Sequence, residues 1–335
     1  MVPVLLAAGS ARSDLVDLDV PLWDWGVLAA AIIGLLAIDL WRHREAHAPS
    51  PREALVESVV WVSCGLTFAG FVAIQFGSGA FGEYLSGYLI EKSLSVDNVF
   101  VWSMLFTTLA IPLKYQHRVL FWGIFGALVL RGIFIGVGSA LISRFSWLLV
   151  AFGVFLVFTG VRIVRHRDDE GDVEAARGAG LLGRVMPVSN ELDGQKFFTR
   201  IGGKRAATPL LAALFVVELT DVIFAVDSVP AILAVSNEPY LVFASNAFAI
   251  LGLRAMYFLL ANAKERFHFL SHALGAILVF VGAKMMASNW YHLDTYLSLA
   301  IILTLLTAAI VASLVRNRGQ DPASEGVLGR DGHHH

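Results

Sequence analysis

The chain has 335 residues, 57% of them hydrophobic and 16% charged, with a formal net charge of −2. A soluble domain carries about a quarter charged residues and does not repeat long apolar runs, so composition excludes an ordinary soluble globular protein. Runs of about 20 apolar residues, each enough to cross a hydrocarbon core of about 30 Å, recur along the whole length.

In chain order, the start MVPVLLAAGSARSDL has a short apolar run without a basic flank, so it reads as an exterior tail rather than a signal peptide. Nine candidate spans follow, at 22–41, 55–76, 84–109, 117–141, 146–164, 209–235, 240–262, 268–287 and 293–315. Backbone groups in lipid must bond within the segment, so the fold class is an all-α polytopic membrane protein with about nine transmembrane helices. Asp39, near the inner end of the first span, is expected to reach the interface and stay hydrated. Cys64 is the only cysteine, which removes any disulfide or cysteine-based metal site. The glycines of GIFGALVLRGIFIGVG read as close-packing surfaces between helices. The connection 165–208, from RHRDDEGDVEAARG to DGQKFFTRIGGKRAATP, is expected to be a partly helical cytoplasmic loop. The terminal GHHH is given no function.

Basic residues order the spans across the membrane. One side holds Arg42, Arg44, Arg52, Lys114, Arg118, the Arg165–Arg205 stretch, Lys264, Arg266, Arg316 and Arg318, and the other only Arg12 and Arg144. The positive-inside rule therefore places the N-terminus outside and the C-terminus in the cytoplasm of a multi-pass inner (cell) membrane protein. Trp23, Trp25, Trp147 and Trp290 would form an outer aromatic belt, with Trp41 and Trp122 at the inner interface.

The chain also repeats itself. AFGVFLVFTGVR at 151–162 aligns without gaps to ALGAILVFVGAK at 273–284, and FGALVLRGIF around Arg131 resembles FAILGLRAMYF around Arg254. EKSLSVDNV at 91–99 matches DVIFAVDSV at 221–229, setting Glu91 on Asp221 and Asp97 on Asp227. Residues 84–164 thus read as a first three-helix repeat and 209–287 as a second, separated by the 165–208 loop within one transmembrane domain. Three helices is an odd number, so the copies enter from opposite sides. That is the inverted-repeat plan of many secondary transporters, whose site lies at the midplane between repeats.

At that midplane the sequence places five acids: Glu91, Asp97, Glu218, Asp221 and Asp227. A charge at the centre of a span costs a few kcal/mol. Ion pairing with Lys92, Arg131 and Arg254 would neutralise part of the set, but five acids against three bases leave negative charge over. The reading is a metal-cation site, with Asn98 and Ser228 as auxiliary oxygens, Lys92 as an auxiliary base, and Arg131 and Arg254 balancing charge when the site empties. Hard oxygen ligands without Cys or His suit Mn²⁺, Ca²⁺ or Mg²⁺ rather than zinc or copper. Protons are further candidates, since grouped carboxylates raise one another's pKa. At 100° per residue Glu91 and Asp97 lie about 120° apart, as do Asp221 and Asp227, while Glu218 and Asp227 oppose each other. With Pro230 three residues on, a helix break at Asp227 is expected, and its counterpart at Asp97–Asn98.

These residues resemble those of the TerC family of membrane proteins, itself similar to the LysE-type transporters with inverted three-helix repeats. The resemblance covers nearly the whole chain and rests on EKSLSVDNVFVW at 91–102, DGQKFFTRIGGKRAATPL at 193–210, VVELTDVIFAVDSVPAILAVS at 216–236 and SNAFAILGLRAMYFLL at 245–260. It implies manganese efflux, with the five acids as the matching positions. The family name also points to tellurium resistance, though an acidic site would repel an oxyanion. With no Walker loop, dinucleotide fingerprint, HExxH or GxGD signature, the chain is expected not to be an enzyme. The expected function is export of Mn²⁺, with Ca²⁺ or Mg²⁺ as alternative ions, in exchange for protons. The alternative is a membrane scaffold or metal-loading factor for exported proteins, docking through the 165–208 loop. Expected partners are the metal ion, protons, the lipid bilayer, and another copy of the chain or a membrane partner protein, with no nucleic acid.

Overall fold

The computed structural model describes residues 15–42, 49–145, 147–165, 187–189, 191–201, 203–260, 269–287 and 294–318. The N-terminal tail before residue 15, Trp290 and most of the interhelical loop (166–186) lie outside them. The described residues form nine helices and one β-hairpin. Five helices are long and apolar enough to cross a bilayer, and a bent pair makes a sixth such span. Large apolar side chains such as Ile33, Ile74, Val129 and Ile133 point outward, half or more exposed. In water that surface would be a liability, whereas in lipid it is the solvated face. The chain is an all-α, multi-pass membrane protein.

Helix α1 runs Leu22–Arg42, with Asp24 in its first turn and Arg42 in its last, both favourable to the helix dipole. Helix α2, Pro51–Thr108, starts on a reciprocal capping box: Ser50 accepts from the Glu53 N–H, and Glu53 accepts from the Ser50 N–H. Its 58 residues would reach about 87 Å if straight, far more than one bilayer. It breaks instead at Gly77, whose φ of 88° and ψ of 179° suit only glycine. The expected spans at 55–76 and 84–109 are thus the two arms of one bent element.

Helices α3 (Leu113–Arg144) and α4 (Trp147–Arg165) follow. The described end of the interhelical loop is a two-stranded antiparallel hairpin, β1 Phe198–Ile201 and β2 Lys204–Ala207, rather than helix. Helix α5 spans Pro209–Leu233 and stays helical through Asp227. The break expected there does not occur: Pro230 sits in the last turn, where one lost hydrogen bond is tolerated. The Asp97–Asn98 stretch is likewise continuous helix. The chain bends elsewhere, by 40° between α6 (Pro239–Leu251) and α7 (Leu253–Leu260), with Gly252 at the joint. Helices α8 (Leu270–Ala287) and α9 (Thr295–Arg318) complete the chain.

Helix α6 is the buried centre, with all but two of its residues shielded. Aromatic rings surround it, including Phe68 stacked on Phe248 at 4.5 Å. Trp25 joins this core, edge-on to Tyr240 at 5.2 Å, instead of the outer belt. Trp23, Trp41, Trp122 and Trp147 are exposed, as interfacial anchors would be. The tightest helix pair is α4 with α8. A Cβ on Gly153 would lie 2.8 Å from the Gly282 carbonyl, and one on Gly160 would lie 2.6 Å from that of Gly275. Only glycine lets the two backbones approach so closely.

Candidate cation site

At the heart of the bundle one guanidinium joins two carboxylates from different helices. Arg131 of α3 donates from Nε to Asp221 Oδ2 at 3.2 Å and from Nη2 to Oδ1 at 2.8 Å. Its Nη1 pairs with Glu91 of α2 and reaches Ser228 Oγ at 3.1 Å. Side-chain exposure is 1% for Arg131, 0% for Glu91 and 1% for Asp221, so the cluster is dry. Asp221 and Ser228 are seven residues apart, about two turns, which puts both on the face of α5 toward Arg131.

Glu91 has further donors. Ser95 Oγ, one turn along α2, approaches Oε1 at 3.2 Å, and Asn246 Nδ2 of α6 donates to Oε2 at 3.1 Å. Sequence reasoning missed Ser95 and Asn246. The signal for Asn246 was present: an amide inside the otherwise apolar run NAFAIL must find a partner once buried.

Glu218 lies one turn before Asp221 and is not paired with Arg131. Its Oε2 is buried without a hydrogen-bond partner. Its carboxylate occupies the space beside Gly126, where any added Cβ would overlap it. Asn98, 1% exposed, also keeps a buried Oδ1 without a partner. Asp97 and Asp227 lie on α2 and α5, but their side chains fall outside the described part of the structure.

The other predicted bases do not join this cluster. Lys92 Nζ donates to the Ala249 carbonyl of α6 at 3.0 Å. Arg254 belongs to a second cluster, with Nη2 2.5 Å from Asp39 Oδ1 and 3.8 Å from Glu57 Oε2. Asp39 is therefore 8% exposed and ion-paired, not hydrated at the interface. The reason is electrostatic: Arg254 is itself buried, and a buried cation recruits the nearest available acids.

Among the described residues no three His, Cys, Asp or Glu side chains stand close enough together to hold a metal ion. The position between Glu91 and Asp221 is held by the positive charge of Arg131. One cation shared by two carboxylates leaves the triad net negative, with uncompensated Glu218 alongside.

Pairing buried carboxylates with arginine inside a multi-pass helical bundle is how integral membrane proteins accommodate ionisable side chains within the bilayer. A profile described as "Integral membrane protein TerC family" matches residues 76–321, and the chain belongs to that family. It is 48% identical over 295 residues to the "Uncharacterized membrane protein STKORF319" of Myxococcus xanthus, covering 88% of this chain and 92% of that protein. It is 45% identical over 307 residues to the "Putative membrane-bound redox modulator Alx" of Shigella flexneri, and 44% identical to its Escherichia coli (strain K12) counterpart, covering 89% of this chain and 96% of each. No solved structure matches the chain.

Proposed function

We propose that the protein is a secondary transporter that exports a divalent cation, Mn²⁺ first among the candidates, with protons as counter-ions. The observation that carries this reading is Arg131 between Glu91 and Asp221, two residues that the internal alignment makes equivalent. A guanidinium there mimics bound cargo, since it satisfies the same oxygens that a hard cation would use. Entry of a divalent ion displaces Arg131, and its release lets Arg131 return, so the site is never left as bare buried anions. Glu218, Asp97 and Asp227 lie on the same two helices and enlarge the donor set.

Alternating access follows from treating 84–164 and 209–287 as inverted copies. In support, the alignment pairs Gly153 with Gly275 and Gly160 with Gly282, and the α4–α8 contacts exchange into each other under that pairing. A two-fold axis has this property. Exchanging the copies turns Arg131 with Glu91, Asp221 and Ser228 into Arg254 with Asp221, Glu91 and Asn98. Asn98 Oδ1 is one of the buried acceptors that lack a partner in the described arrangement. In the second state Arg254 leaves Asp39 and Glu57 and fills that vacancy.

The redox role in the relatives' name fits this reading indirectly. Cys64 is the only thiol, which leaves no intramolecular dithiol pair for exchange, so redox effects would follow from metal supply. The test is Mn²⁺ flux in inverted membrane vesicles. Asp221→Asn and Glu91→Gln should each lower it at least about tenfold, and unchanged flux in both would remove the proposal.

A further inference from the structure

We propose that the β1–β2 hairpin, with the turn that precedes it, binds the headgroup of an anionic phospholipid at the membrane face where α5 begins. This goes beyond transport and depends only on the protein's place in a bilayer.

The hairpin is fixed to that face. Thr208 is fully buried between β2 and α5, and its Oγ1 donates to the carbonyls of Lys196 at 2.8 Å and Phe197 at 3.1 Å. Arg118, in the first turns of α3, lies over the Phe197 ring at 5.0 Å. The hairpin therefore sits where two spans start.

Its charge is uncompensated. In the ladder Arg200 stands directly opposite Arg205. Like charges across a strand pair repel unless an anion lies between them. No acid among the described residues pairs with either, because the nearby Asp193 is taken by Lys196 and Thr199 at 3.2 Å each. These residues and Phe198 line an open cavity of about 570 Å³. That is the scale of a small-ligand pocket, and the two guanidiniums of Arg200 and Arg205 suit a phosphodiester.

The apolar part selects lipid over a free anion. Phe198 is 52% exposed and Ile201 is 50% exposed at the two ends of β1. A soluble phosphate uses neither, whereas a phospholipid presents acyl and glycerol groups beside its phosphate. Clustered basic residues next to a span are the usual electrostatic match for anionic headgroups.

The test uses the purified full-length protein, stripped of lipid in detergent and titrated separately with dioleoylphosphatidylglycerol, dioleoylphosphatidylcholine and inorganic phosphate. Native mass spectrometry counts bound lipid. Phosphatidylglycerol should be retained about tenfold more tightly than phosphatidylcholine. Arg200→Gln combined with Arg205→Gln should abolish that preference with an unchanged thermal midpoint, since both side chains are exposed. Phe198→Ser should weaken phosphatidylglycerol retention as well. Three results would each overturn the proposal: equal retention of both lipids, an intact preference in the double variant, or displacement of lipid by equimolar inorganic phosphate. A co-purifying protein that must be stripped before lipid binds would also overturn it, by marking the hairpin as a protein-docking surface.

Discussion

Arg131 and Asp221 form a two-pronged ion pair, at 3.2 and 2.8 Å, inside a helical bundle where each side chain is 1% exposed. The pair is mutually dependent, because either partner alone would be an uncompensated charge in a dry environment. Removing one side of such a buried pair costs about 3 to 5 kcal/mol. Arg131→Met, of similar length, should therefore lower the thermal midpoint sharply. Added Mn²⁺ should restore stability to the variant more than to the parent, since the ion takes the vacated position. A thermal-shift series with and without Mn²⁺ checks both parts, and a variant as stable as the parent without metal would contradict the account.

Gly126 offers a steric probe of Glu218. A methyl group there overlaps the carboxylate, so Gly126→Ala forces Glu218 out of its place. Overpacking of this kind typically costs about 1 to 3 kcal/mol. Vesicle flux should fall well beyond what the reduced amount of folded protein explains. Gly123→Ala, on the same helix and packed against Val217 instead, is the control.

Asn98 separates stability from transport. Its Oδ1 has no partner in the described arrangement, so replacing it with Leu removes an unsatisfied acceptor and should leave the thermal midpoint unchanged or raised. The exchanged arrangement needs that oxygen for Arg254, so flux should fall. Full flux in Asn98→Leu would count against the exchange of arginines.

The α4–α8 seam should tolerate no bulk. Gly160→Leu drives a side chain into the Gly275 carbonyl, 2.6 Å from the position of its Cβ. Loss of folded protein, measured as the monodisperse fraction after extraction, is expected for it and for its aligned counterpart Gly282→Leu.

Outside the spans, Glu238 precedes α6 and accepts the Leu18 N–H at 3.1 Å. Burial raises its carboxyl above the ordinary 4.5, the Leu18 hydrogen bond opposes the rise, and Asp17 adds to it. With the folded value above the unfolded one, protonation favours the fold. This group's contribution is complete below 4.5 and is lost as pH climbs through the raised value. Glu238→Gln should flatten the fall of the thermal midpoint between acidic and neutral pH, and an unchanged slope would show that the carboxyl is irrelevant to it.

Much of the site was legible before any coordinates. Apolar runs located the helices, and an Arg or Asp inside such a run announces a partner because lipid offers none. Asp221 and Ser228 were both read as site residues, and the structure directs both at Arg131. What spacing lacks is the identity of the partner. Arg254 has sequence surroundings like those of Arg131, yet it pairs with Asp39 and Glu57 from the first two helices. The proline at 230 suggested a broken helix, but a proline matters less near a helix end, while Gly77 and Gly252 sit at the actual bends. A helical period carries no information about where backbone strain is relieved.

Thr208 locks the hairpin onto the first turn of α5, and Asp221 lies 13 residues further along the same uninterrupted helix, about 20 Å away. An unbroken helix transmits tilt and translation from one end to the other. Any rearrangement that moves Asp221 away from Arg131 therefore carries the hairpin across the membrane surface, and a fluorophore at Phe198 becomes a pointer to the state of a cluster it never touches.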